Sequence, residues 1–146
     1  MEEALQIITG MLGTLGFSVL FHVRGKKLIP IALGGAISWA VYLLVVHFHH
    51  NSTLGILIST AVLGLMAEIF ARFLKAPAIL FLVPMLIPLI PGSTLYYTTR
   101  YLVLGNGALF TQYGNRLLLE AGAIAFGIIL VAGIVHLPLR LWKPKR

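Results

Sequence analysis

Residues 84–92 read Pro-Met-Leu-Ile-Pro-Leu-Ile-Pro-Gly inside a long apolar stretch. A proline within a helix removes one backbone hydrogen bond and clashes with the carbonyl four residues back. Lipid offers no partner for the freed carbonyls, so such backbone is tolerated at membrane depth only inside protein or beside a polar cavity. A helix broken in this way is the strongest sequence pointer to a transport site in a small membrane protein. Pro84, Pro88, Pro91 and Gly92 therefore decide how the rest of the chain is read.

The surroundings support a membrane setting. Of 146 residues, 59% are hydrophobic and 10% are charged, and the mean hydropathy is +0.97. A soluble domain carries about 25% charged residues. The chain has no cysteine, which excludes disulfides, thiolate metal sites and a cysteine nucleophile. A net charge of +7 would suit nucleic acid if it formed a patch. Here the basic residues sit in short clusters between apolar runs, the pattern of membrane topology signals, and no nucleic-acid partner is expected. The start, with Glu2 and Glu3, lacks the basic residues of a secretory signal peptide, so the first apolar run is read as retained.

A spanning helix needs about 20 apolar residues. Runs at 4–23, 28–48 and 54–74 fit, and a fifth span is expected at 117–139, with Pro138 near its end. The fourth span, 78–104, has an apolar part of about 14 residues before the break near 91–92, roughly 21 Å of helix. That falls short of a core of about 30 Å, so residues 93–104 are expected to complete the crossing as a second half-helix. Residues 105–115, opening with Gly105-Asn106-Gly107, are expected to form a polar loop. The fold class is an all-α integral membrane protein, a single transmembrane domain over 1–146 with five transmembrane helices and a Pro/Gly-broken fourth helix.

With five crossings, Arg24, Lys26, Lys27, Arg72, Lys75, Arg140, Lys143, Lys145 and Arg146 share one face, and Arg100 and Arg116 lie on the other. The positive-inside rule makes the first face cytoplasmic, with the N-terminus outside and the C-terminus inside. The expected location is a cell membrane, crossed several times. No internal repeat is evident. Many transporters contain two related halves, so a partner chain or a homo-oligomer is expected.

Several residues are candidates for the substrate pathway: Pro88, Pro91, Gly92, Ser93, Thr94, Tyr97 and Arg100. Ser93 or Thr94 is a good N-cap for a half-helix, whose free amides and dipole attract an anion. The same segment also reads as a plain kink with belt tyrosines, and Arg100 as an outer vestibule cation or a helix anchor. Charged residues inside a membrane are costly, and they pair or face a pathway. Glu68, four residues before Arg72, is a proton-coupling candidate or an interfacial ion pair. Glu120, four residues after Arg116, is a second candidate, unless Arg116 holds it at the surface. His47, His49 and His50 have no Cys, Asp or Glu nearby to complete a tetrahedral metal site and read as interfacial. No cofactor is implied. The small residues Gly10, Gly13 and Gly16, with the pairs Gly55/Ser59 and Ala123/Gly127, suit close helix packing, within the chain or against a second subunit.

Residues 84–97, Pro-Met-Leu-Ile-Pro-Leu-Ile-Pro-Gly-Ser-Thr-Leu-Tyr-Tyr, resemble the motif of the bacterial threonine/serine exporter family (ThrE-like), in its small YjjB-like membrane component. Residues 15–23, Leu-Gly-Phe-Ser-Val-Leu-Phe-His-Val, are similar to the opening of that component. The resemblance covers essentially the whole chain. It implies a secondary transporter that exports small amino or carboxylic acids, threonine and serine or dicarboxylates such as succinate, together with a larger membrane partner. Pro88, Pro91 and Gly92 carry over as motif positions. A passive channel and a non-transporting accessory subunit are the alternatives that the residues leave open. An enzyme is not expected, because no nucleophile elbow, His-Glu-x-x-His pair or P-loop occurs.

Overall fold

The computed structural model describes the backbone of residues 2–141 and the side chains of residues 2–135, and no strand forms among them. The helices are α1 (Glu2–Leu20), α2 (Leu28–His49), α3 (Ser52–Phe73), α4 (Ile79–Leu86), α5 (Gly92–Val103) and α6 (Gly107–Leu141). A 3-10 turn, Ile87–Leu89, prolongs α4. Four helices are long and apolar enough to cross a membrane. The pair Ile79–Leu89 and Gly92–Val103, bent by 59°, makes a fifth span when counted as one. The chain is an all-α, multi-pass membrane protein with a broken fourth span.

The helices pack in the order α1, α2, α3, α6, α5, with α4 nested against α1, α2 and α3. The core comprises Val23, Ile31, Leu63, Ala67, Phe81, Met85 and Leu89. Close approach is set by small residues. A Cβ at Gly35 would collide with Thr14 Oγ1, and one at Gly34 with the Met85 thioether. Between helices already surrounded by lipid, this fit supplies the dispersion energy that holds the bundle together. The buried hydroxyls there bond to their own helix: Thr14 to the Gly10 carbonyl (2.8 Å), Ser18 to Thr14 (2.7 Å), Ser38 to Gly35 (2.9 Å) and Ser59 to Gly55 (2.7 Å).

The alternating path of the chain brings Arg24, Lys26, Lys27, Arg72 and Lys75 to one end of the bundle, called the basic end below. The cations expected to join them at 140, 143, 145 and 146 lie outside the residues whose side chains are described. At the opposite end, Asn51 caps α3 by accepting from the Leu54 amide at 3.1 Å.

The polar segment expected as a loop is helical. α5 ends in a Schellman motif: the Asn106 amide donates to the Tyr101 carbonyl, the Gly105 amide donates to Leu102, and Gly105 has φ +68°. Asn106 then caps the next helix by accepting from the Leu109 amide at 3.1 Å. α6 thus starts at Gly107 and continues through Pro138 to Leu141. α3 and α6 run in parallel, since Ser52 meets Glu120, Thr60 meets Gly127 and Gly64 meets Val131. About 20 Å of α6 therefore precedes the start of α3. That length pairs with α5 through Tyr97, Tyr101 and Tyr113, whose ring centroids lie 5.3–6.3 Å apart. We call this pair the hairpin.

Candidate functional site

The break has a defined backbone. Pro88 lies in the 3-10 turn, and Ile90, restricted by the following proline, is extended (φ −64°, ψ 125°). Pro91, at φ −76° and ψ 62°, centres an inverse γ-turn in which the Gly92 amide donates to the Ile90 carbonyl at 2.7 Å. The first helical bond of α5 is Leu95 N–H to the Pro91 carbonyl, 3.0 Å. The N-cap is therefore Pro91, and no side chain caps α5. Ser93 and Thr94, expected as caps, lie within the first turn instead. Their amides fall among the first-turn donors that a helix leaves without internal partners.

A cavity of about 100 Å³ opens at this point, lined by Trp39 and Tyr42 from α2, Ile56 from α3, residues 88–91 of the break, Ser93 and Thr94 from α5, and Arg116 and Glu120 from α6. It lies between the level of Trp39, halfway along α2, and the start of α3. This places it in the half of the bundle nearer the hairpin, rather than at the midpoint.

Glu120 is buried, with 4% of its side chain exposed, whereas that of Arg116 is 56% exposed. Arg116 does not hold Glu120 at a surface. Its Nε donates to Glu120 Oε1 at 2.9 Å, and Ser52 Oγ lies 3.4 Å from both Glu120 Oε1 and Arg116 Nη2. A buried carboxylate needs such a partner to offset lost hydration. Its other oxygen, Oε2, has none. Among the described residues, the buried side-chain polar atoms without a hydrogen-bond partner are Trp39 Nε1, Thr60 Oγ1 and Glu120 Oε2. Two of the three residues line this cavity. Thr60 lies in the α3–α6 contact, and nothing in the structure explains its free hydroxyl.

The other sequence candidates are placed differently. Pro88, Pro91, Ser93, Thr94 and Glu120 line the cavity. Gly92 is exposed beside it. Tyr97 packs in the tyrosine cluster. Arg100 is exposed on the outer face of α5 with Tyr96 and Thr99. Glu68 is half-buried on α3, about 18 Å along that helix from Ile56 and towards the basic end. Trp39, Tyr42 and Ser52 were not singled out from sequence. The clue was available for Trp39, a tryptophan deep in an apolar span rather than in an interfacial belt. It stacks on Tyr42 with ring centroids 4.9 Å apart. Tyr42 is seated by Gly55, where a Cβ would lie 2.9 Å from its ring.

A multi-pass bundle with a broken span and a charged cavity at the break has the architecture of a membrane transporter. The chain belongs to the threonine/serine exporter family: the family model described as Threonine/Serine exporter, ThrE, matches residues 6–134. It is a transporter component of that type and not an enzyme. No solved structure matches the chain.

Proposed function

We propose that this chain forms the substrate-holding part of a secondary exporter of small amino or carboxylic acids, and that the cavity at the break is its binding site. The observation that carries this reading is a buried carboxylate, Glu120, paired with the more exposed Arg116, the two lining a small cavity beside an uncapped helix start. Charges are costly in a membrane and are kept where they face a pathway or a ligand. A volume of about 100 Å³ equals roughly three to four waters, the scale of serine or threonine rather than of a large side chain.

The location is a bacterial inner membrane with the basic end cytoplasmic, as the positive-inside rule requires. The cavity then lies in the outer half of the membrane, and the packed core closes it from the cytoplasm. A partner, either a larger membrane subunit of the same family or a second copy, covers the outer face of α5. Among the described residues α5 packs only on α6, leaving Tyr96, Thr99, Arg100 and Val103 exposed. Transport proceeds by rocking one bundle against the other around the break. Glu68, near the cytoplasmic end, remains a candidate for proton coupling.

The test is flux of labelled serine, threonine and succinate in proteoliposomes, with the chain alone and with the larger subunit. Saturable, countertransport-stimulated flux that Arg116→Ala abolishes is the expected result. Flux that does not saturate would mean a passive pore, and flux unaffected by changes at Arg116, Ser93 and Thr94 would remove this cavity from the route.

A further inference from the structure

Two opposite poles line the same small cavity. One is the start of α5, where no side chain caps the helix and the free amides and dipole attract a carboxylate. The other is Glu120, whose Oε1 is engaged by Arg116 at 2.9 Å while Oε2 is buried without a partner. We propose that Glu120 is the specificity-determining residue of this cavity: its Oε2 accepts the ammonium group of a 2-amino acid, while the ligand's carboxylate lies against the α5 start and Arg116. This rests on the reading of the cavity as the substrate site.

The charge count supports an ammonium. Arg116 and Glu120 already neutralise one another, so a zwitterion adds no net charge. Tyr42 on α2 adds a phenol hydroxyl to the lining. Trp39, Ser52, Ser93 and Thr94 contribute neutral donors. Arg116 is the cation among the described lining residues. A dicarboxylate would therefore bring two negative charges to one engaged cation and place one near Oε2, where like charges in a poorly hydrated site repel strongly. A hydroxy acid lacking the ammonium would leave Oε2 unpaired. A buried group left without its partner is what gives polar sites their large discrimination.

The experiment is equilibrium binding to the purified full-length chain, with four probes: L-serine; glycerate, which replaces the ammonium by hydroxyl; ethanolamine, which lacks the carboxylate; and succinate. Wild type should bind serine at least about 30-fold more tightly than glycerate or succinate. Glu120→Gln should weaken serine and not glycerate, bringing their ratio near one, and Glu120→Asp should restore part of the preference. Equal binding of serine and glycerate by wild type overturns the proposal, as does an equal loss of both probes in Glu120→Gln with Trp39 fluorescence and thermal unfolding unchanged. If folded wild type binds none of the four probes, the site reading fails together with the proposal. If it binds without discrimination, only the role of Glu120 fails.

Discussion

The close helix contacts and the cavity handle polar side chains in opposite ways. Where the helices pack closely, Thr14, Ser18, Ser38 and Ser59 are fully buried, yet each hydroxyl bonds to a carbonyl of its own helix. The contacts between helices there are steric, with Thr14 against Gly35 and Met85 against Gly34. Around the cavity, polar atoms are joined between helices, as Ser52 is to Glu120 and Arg116, or are left without a partner, as are Glu120 Oε2 and Trp39 Nε1. A hydroxyl that satisfies itself is a packing element. A buried polar atom with no partner is available for something that is not part of the chain, and, Thr60 in the α3–α6 contact aside, the two kinds separate between the helix contacts and the cavity.

The largest effect that tests this contrast is at the ion pair. Arg116→Leu leaves Glu120 without its cation, and losing one member of a buried pair costs about 3–5 kcal/mol. The exposure of Arg116, 56% of its side chain, puts this case at the lower end. Arg116→Leu combined with Glu120→Leu should recover most of the stability, because apolar replacement of a whole buried pair is near neutral, while substrate binding stays lost. Detergent-phase unfolding together with a binding assay reads both. If the double variant remained as unstable as the single, the pair would be structural.

The close helix contacts should fail for a different reason. Gly35→Ala drives a Cβ into Thr14, whose own Cβ lies 2.8 Å from the new atom. Overpacking of this kind costs about 1–3 kcal/mol. Thr14→Ala should recover part of it by removing Oγ1 and Cγ2 but not the Cβ contact. Full tolerance of Gly35→Ala, read as an unchanged unfolding midpoint, would show that α1 and α2 are free to separate. At the cavity, by contrast, Trp39→Phe removes a donor that has no acceptor. Loss of an unsatisfied N–H should raise stability by about 1 kcal/mol while weakening the binding of substrate. A destabilised variant would instead show that the indole packing against Tyr42 is what matters at this position.

The sequence announced the break because proline chemistry is local. Pro88 and Pro91 act on their own backbone and their immediate neighbours, and the inverse γ-turn at Pro91 is a direct consequence. The apolar runs likewise located the long helices, since a hydrocarbon core selects composition. The hairpin was hidden by the same criterion. Thr111, Gln112, Gly114 and Asn115 are too polar for a lipid span, but polarity does not prevent a helix that begins beyond the start of α3 and is capped by Asn106. The site was only half legible. Ser52 and Glu120 stand 68 residues apart, and no spacing rule joins them. Arg116 four residues before Glu120 looked like a surface pair until α3 was packed against it. Trp39 and Tyr42 share a helical face, but the glycine that seats Tyr42, Gly55, comes from the next helix.

The smallest effect is the most exacting for the contrast. Ser59 is fully buried, and a buried hydroxyl is ordinarily costly to remove when its partner is left unmatched. Its partner here is the Gly55 carbonyl, 2.7 Å away in the preceding turn of α3, which already accepts the amide bond of the helix. Ser59→Ala therefore leaves no group unsatisfied and places a better helix former in the interior. The expected change in unfolding free energy is below about 0.5 kcal/mol, with serine binding unaltered. A loss above about 2 kcal/mol would mean that the hydroxyl is shared with a neighbouring helix, and the division between self-satisfied polar atoms in the helix contacts and available ones at the cavity would no longer hold.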